Sequence, residues 1–325
     1  MGEWLFEAGI GEDRAVLVED GGILEAAIEL PTALRAGAVV AGRLSTILVP
    51  GRRGIVTADE GVEALIEPVP AGVTEGAKLR FEVVREALAE AGRDKLAKVR
   101  ATEAPVRPGP GLRERIGGAR EIRAAAPDAF EAAGWSELIE QARTGELPFP
   151  GGALRMSLTP AMTLFDVDGA LEPAALAVAG AAAAARSIRR LGVAGSIGID
   201  LPTLPAKADR LAAAAALDAE LPQPFERSAV NGFGFLQVVR RRERASIAEL
   251  IRADPAGAAA RALLRVAERG PAGPTTLVAA PVVVARLERE SAWTQELGRR
   301  AGGAVGLQAD AQLPMFGGYV HHWQG

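Results

Sequence analysis

Two short, mainly apolar runs make up residues 14–30, "RAVLVEDGGILEAAIEL", and Asp20-Gly21-Gly22 separates them. Such runs broken by a Gly-rich turn, where Gly tolerates positive φ, predict a β-hairpin. Shorter apolar runs follow: "AVVAGRLSTILVP", "RRGIVTA", "EALIEPV" and "KLRFEVVREAL". Gly and Pro punctuate them, and short strands at this spacing predict a small β-barrel of about 70 residues over 37–105. The Pro/Gly-rich stretch 105–118, "PVRPGPGLRERIGG", marks a linker.

Beyond the linker the period changes. Residues 127–143 read as a helix with Trp135, Leu138 and Ile139 on one face. A hairpin-like pair of strands surrounds Gly151-Gly152. An Ala-rich helix over 173–191, the strand "GSIGIDL", a helix over 205–220 and the strand "SAVNGFGFLQVVRR" complete a strand–helix alternation. That alternation predicts an α/β layer. The tail predicts a helix (255–269), a strand ("TTLVAAPVV"), a helix (283–300) and terminal strands at 304–310 and 317–323. The expected fold is a multidomain α/β chain carrying an inserted small β-barrel. Its segments are an N-terminal hairpin packed on the catalytic region (1–36), the barrel (37–105), linker and helix (106–145), α/β domain (146–250) and small C-terminal α/β domain (251–325).

Composition narrows the function. The net charge of −4 argues against a broadly basic nucleic-acid binder but leaves room for a local basic groove. With no cysteine, disulfides, thiol nucleophiles and zinc–cysteine sites are excluded. Two histidines at the extreme tail support no Ser/His/Asp triad, and adjacent His321 and His322 diverge in a strand. Gly192, Gly195 and Gly198 precede a strand instead of following one, which is wrong for a dinucleotide loop. The N-terminus matches neither a signal peptide nor a myristoylation pattern, and no stretch is long enough to span a bilayer. The expected location is the cytoplasm, away from membranes.

The chemistry concentrates in "LTPAMTLFDVDG" (158–169) and "GSIGIDL". Asp166 and Asp200 each follow an apolar strand, and the helix between them has the length of a crossover. If the two strands are parallel neighbours, both carboxylates emerge at the strand ends where α/β sheets build sites. Asp168 shares a face with Asp166, because strand side chains alternate. Carboxylates brought together repel unless a cation joins them, and hard oxygen ligands select Mg²⁺, with Mn²⁺ as a substitute. A turn accounts for Asp-x-Asp-Gly on its own as well.

"LPFPGGALRMSLTPAMTLFDVDG", "SIRRLGVAGSIGIDL" and "VNGFGFLQVVRRR" together resemble, in order and spacing, the catalytic region of the ribonuclease E/G family. "RAVLVEDGGILEAAIELP", the barrel strands, "FEAAGWSELIEQA" and "TTLVAAPVVVARL" extend the likeness more faintly over most of the chain. The resemblance implies a deoxyribonuclease-like α/β catalytic layer, a reduced OB-like barrel and metal-dependent endoribonuclease activity on single-stranded RNA. It puts Asp166 and Asp200 at the metal-binding aspartates and Asp168 in the place of an Asn, as a catalytic group that orients a metal-bound water or acts as a third metal ligand. Arg240 matches the Arg closing the third strand, Gly42-Arg43 a Gly-Lys in the barrel, and Lys95 a basic residue near the barrel's end. Asn231 and Phe233 fall beside the site as further RNA contacts.

The departures are specific. Pro160 stands where the family has Glu, and Asn231-Gly232-Phe233 lacks the Arg before Phe. Ile55 and Leu65 replace stacking aromatics in the barrel, the 5′-monophosphate sensor is reduced to the linker, and the family's zinc link is absent. These losses point to the alternative reading, an RNA-binding or assembly protein with weak or lost nuclease activity. Apolar positions in the C-terminal domain leave a homodimer open.

Overall fold

Strict alternation closes the barrel. In the computed structural model, which describes residues 2–89 and 94–322, five strands close in the order Val39–Val49, Arg53–Ala58, Glu63–Ile66, Ala97–Ala101 and Lys78–Arg85. Glu63–Ile66 and Ala97–Ala101 run parallel, and the other pairs are antiparallel. Leu44, Val56, Ile66, Phe81, Val83 and Val99 point inward and are buried. Ala97–Ala101 has no counterpart in the sequence reading, because "AKVRA" carries two cations and only one large apolar residue.

The chain divides into two compact units. One comprises Thr32–Arg115 and Thr144–Glu249 and holds the barrel and a six-stranded mixed sheet. The sheet order is Glu146–Phe149, Gly152–Leu158, Thr163–Gly169, Gly195–Asp200, Phe235–Arg240 and Glu226–Arg227. Its one parallel pair, Thr163–Gly169 with Gly195–Asp200, is joined by helix Pro173–Arg190. Pro173 opens that helix, where a missing N–H costs nothing. The helix buries Ala177, Ala181 and Ala184, and Gly180 lies so close to Val167 that a Cβ there would overlap it. Small residues thus let the helix lie tightly under the strand that bears Asp166. Phe165, Val167, Ile197, Ile199, Leu236 and Val238 are buried, while Asp166, Asp168 and Asp200 are exposed.

Two expectations change here. The hairpin about Gly151-Gly152 is followed by a second one, because Thr159 closes a tight turn: its hydroxyl donates to the Met162 carbonyl (2.7 Å) and accepts from the Met162 amide (3.1 Å). The strand expected from 228 begins only at Phe235, since Asn231 organises a turn ahead of it.

The other unit comprises Met1–Pro31, Ile116–Arg143 and Leu250–Gly325. The expected hairpin is present as Asp13–Glu19 and Gly22–Glu29, with Glu3–Ala8 added beside it and Arg120–Glu121 parallel to that strand. The helical stretch 127–143 is broken at Gly134 into Ala129–Ala132 and Trp135–Thr144. A three-stranded sheet, Val305–Ala309, Thr275–Ala279 and Tyr319–His322, packs with helices Pro255–Glu268, Pro281–Arg289 and Ser291–Ala301 around Leu264, Leu277, Leu287 and Leu297. The last strand was expected through Trp323, which lies outside the described residues. Glu7 is buried among three cations: Arg269 (2.6 Å), Arg265 (3.1 Å) and Arg14 (3.4 Å). Among the described residues no helix is long and apolar enough to cross a membrane.

Candidate active site on the open face of the sheet

Strand register builds the site. Asp166 pairs with Asp200 across the parallel ladder, so both carboxylates project from the same face. Asp166 also pairs with Arg155 on its antiparallel side, and Asp200 with Phe235 on the far side. Arg155, Asp166, Asp200 and Phe235 therefore form one transverse row over four adjacent strands, about 14 Å long at the usual strand spacing. Asp168 stands two residues further along the Asp166 strand, opposite Ala153. Helix Pro173–Arg190 covers the reverse face, and the row lies on the open one.

The electrostatics follow from this placement. Partial burial pushes the Asp166 carboxyl up, and the charges of Asp168 and Asp200 push it further. Arg155 and the Val167 amide oppose the shift without cancelling it. Among the described residues no Lys or Arg forms an ion pair with any of the three aspartates. Arg155 instead reaches Glu146, at 3.7 Å, and keeps 64% of its side chain in solvent. Nor, among the described residues, are three His, Asp or Glu side chains grouped closely enough to hold a metal ion as they stand. The donor set nonetheless suits Mg²⁺, which takes one or two carboxylates and fills its remaining positions with water.

A tight turn shapes the rim. The Asn231 side-chain oxygen accepts the amides of Phe233 and Phe235, each at 3.0 Å. Gly234 has φ 94° and sits against the Leu201 carbonyl, where a Cβ would overlap the oxygen. Only glycine fits there comfortably. The turn holds Phe233 in solvent, 83% exposed, two residues ahead of Phe235, the cross-strand partner of Asp200. Asn231 thus acts through the backbone, and Phe233 is the side chain presented.

The other expected contacts lie elsewhere. Arg240 pairs with Gly195 at the opposite end of the strand and donates to the Val193 carbonyl (3.0 Å). Five residues separate that end from Asp200, about 17 Å along the ladder. Arg43 is exposed on the barrel, in register with Thr57 and Lys78, and reaches the Gly76 carbonyl at 3.5 Å. Lys95 forms a two-way backbone bridge with Leu88 just before strand Ala97–Ala101. Arg43 lies beside Lys78, at the start of strand Lys78–Arg85, and Lys95 bridges Leu88, beyond that strand's other end. Arg155 escaped the sequence reading. Its signal was present: it interrupts the buried alternation of Leu154 and Met156, and a four-residue turn from Leu158 to Thr163 would set it opposite Asp166. The chain matches no protein-family model and no curated protein.

Proposed function

We propose that this protein is a metal-dependent endoribonuclease acting on single-stranded RNA, of the ribonuclease E/G kind. The observation that carries the reading is the register of Asp166 with Asp200: two carboxylates side by side at the end of a parallel strand pair, on an uncovered face, mutually repelling and, among the described residues, held in no ion pair. The barrel's five-strand order, with its third and fifth strands parallel, supports an OB-type assignment. The mixed sheet with helix Pro173–Arg190 on one face supports a deoxyribonuclease-like layer.

Asp166 and Asp200 would hold one Mg²⁺ or Mn²⁺. Such an ion supplies Lewis-acid charge at a phosphoryl oxygen and makes water a better nucleophile. Asp168 accepts a hydrogen bond from the attacking water and orients it. Phe233 offers a face on which an unpaired base stacks, which favours single strands over duplex. Arg43 and Lys95 offer the barrel's phosphate contacts, and this binding weakens with salt.

The test is the chemistry of the products. A labelled A/U-rich RNA incubated with Mg²⁺ should give fragments carrying a 5′-phosphate and a 3′-hydroxyl. Fragments ending in a 2′,3′-cyclic phosphate, or cleavage undiminished by EDTA, would overturn the reading. Intact RNA with a salt-sensitive mobility shift would assign an RNA-binding protein instead.

A further inference from the structure

We propose that Arg155 is the phosphate-binding cation of this site, gripping a backbone phosphodiester next to the carboxylate pair. The inference rests on the nuclease reading above and adds the group that holds the substrate there. An anionic strand cannot approach three aspartates on charge alone, and a metal bound by two of them leaves little positive charge in excess. The site needs a cation of its own on the same face. Register supplies one: Arg155 is the direct cross-strand partner of Asp166, in the row that continues to Asp200 and Phe235.

Its state suits the role. The Arg155 side chain is 64% exposed, and its ion pair with Glu146 is long, at 3.7 Å, between two solvated groups. A pair of that kind is held weakly and yields to a competing anion. A guanidinium offers a planar fork of donors that matches two phosphate oxygens. Arg240, the cation the sequence suggested for this task, sits at the other end of the strand, with its guanidinium on the Val193 carbonyl. Arg155 and Phe235 close the two ends of the row, with the carboxylate pair between them.

The experiment measures binding of a short labelled single-stranded RNA by fluorescence anisotropy, from 50 to 200 mM salt as a practical range. The protein carries Asp166→Asn so that the RNA stays intact. Against that parent stand the added changes Arg155→Ala, Arg155→Lys and Glu146→Gln. Arg155→Ala should weaken binding about equally for several sequences, and should lower the slope of log affinity against log salt by about 0.7, the value for one phosphate contact on a single strand. Arg155→Lys should restore the slope, because it keeps the charge. Glu146→Gln should leave the slope at the parental value. A parental slope in Arg155→Ala, or a Lys variant as defective as the Ala variant, overturns the assignment while the nuclease reading stands. Wild-type protein that neither cuts nor binds RNA overturns both.

Discussion

Asp166→Asn keeps the shape of the side chain and removes the charge that its neighbours oppose. The structure sets the size of the effect. Strand spacing puts Asp200 about 4.8 Å away and Asp168 about 6.7 Å away. In water these pairs cost about 0.9 and 0.6 kcal/mol. Physiological salt cuts each roughly in half, to a sum of about 0.7 kcal/mol. Arg155 returns part of that from the other side, and the burial that also raises the carboxyl adds to it. The variant should therefore be more stable than wild type in EDTA by roughly 0.5 kcal/mol, or about 1–2 °C in Tm. The sign with pH is definite. A carboxyl raised in the folded state binds its proton more tightly there, so folding loses stability as pH rises through the raised value. The advantage of Asn is full at neutral pH and disappears below the ordinary Asp value of about 3.9, where both states are protonated. Metal inverts the order. At a Mg²⁺ concentration ten times Kd, wild type gains about 1.4 kcal/mol, and the variant, with one carboxylate of the pair gone, gains little. Differential scanning fluorimetry in EDTA and in Mg²⁺ reads both effects. A variant less stable than wild type in EDTA, or one with the same Mg²⁺ shift, refutes the reasoning.

Other consequences are direct. Phe233→Ala should leave Tm unchanged, because the ring is in solvent, and should weaken single-stranded RNA binding by about 1–3 kcal/mol in a titration. Glu7→Ala leaves Arg14, Arg265 and Arg269 facing one another in the interior and should cost about 3–5 kcal/mol in urea unfolding. Asp128 and Asp254 have opposing influences: burial raises each carboxyl, and backbone amides with Arg265 and Arg269, or Arg286 and Arg261, lower it further. Their depressed values mean stability that is present above the ordinary Asp value of about 3.9 and lost as pH falls through the folded ones. Asp128→Asn and Asp254→Asn should be less stable than wild type at neutral pH, and in acid unfolding followed by circular dichroism the gap should close as pH falls through the depressed values.

Much of the fold was legible because Gly and Pro punctuate the chain. The hairpin at 13–29 follows from its Asp-Gly-Gly turn, four of the barrel strands follow from short apolar runs set off by Gly and Pro, and the Ala-rich helix follows from composition. The barrel's fifth strand was hidden because "AKVRA" is too short and charged to show a pattern. Helix breaks at Gly134 and Glu290 were hidden because apolar periodicity runs on through them. For the site, Asp166 and Asp200 were readable from strand ends, and the ladder aligns them residue for residue. Arg155 and Arg240 were not placed, since the position of each depends on a turn: one closed by Thr159, the other preceded by Asn231. Turn geometry sets register, and register alone decides which charges share a row.

The most direct measurement is cleavage of a labelled A/U-rich single-stranded RNA by purified wild-type protein and by Asp166→Ala, each with Mg²⁺ and with EDTA. The account predicts cuts only for wild type with Mg²⁺, from two proteins with matching circular dichroism. Equal cleavage by the variant, or cleavage unaffected by EDTA, would contradict it.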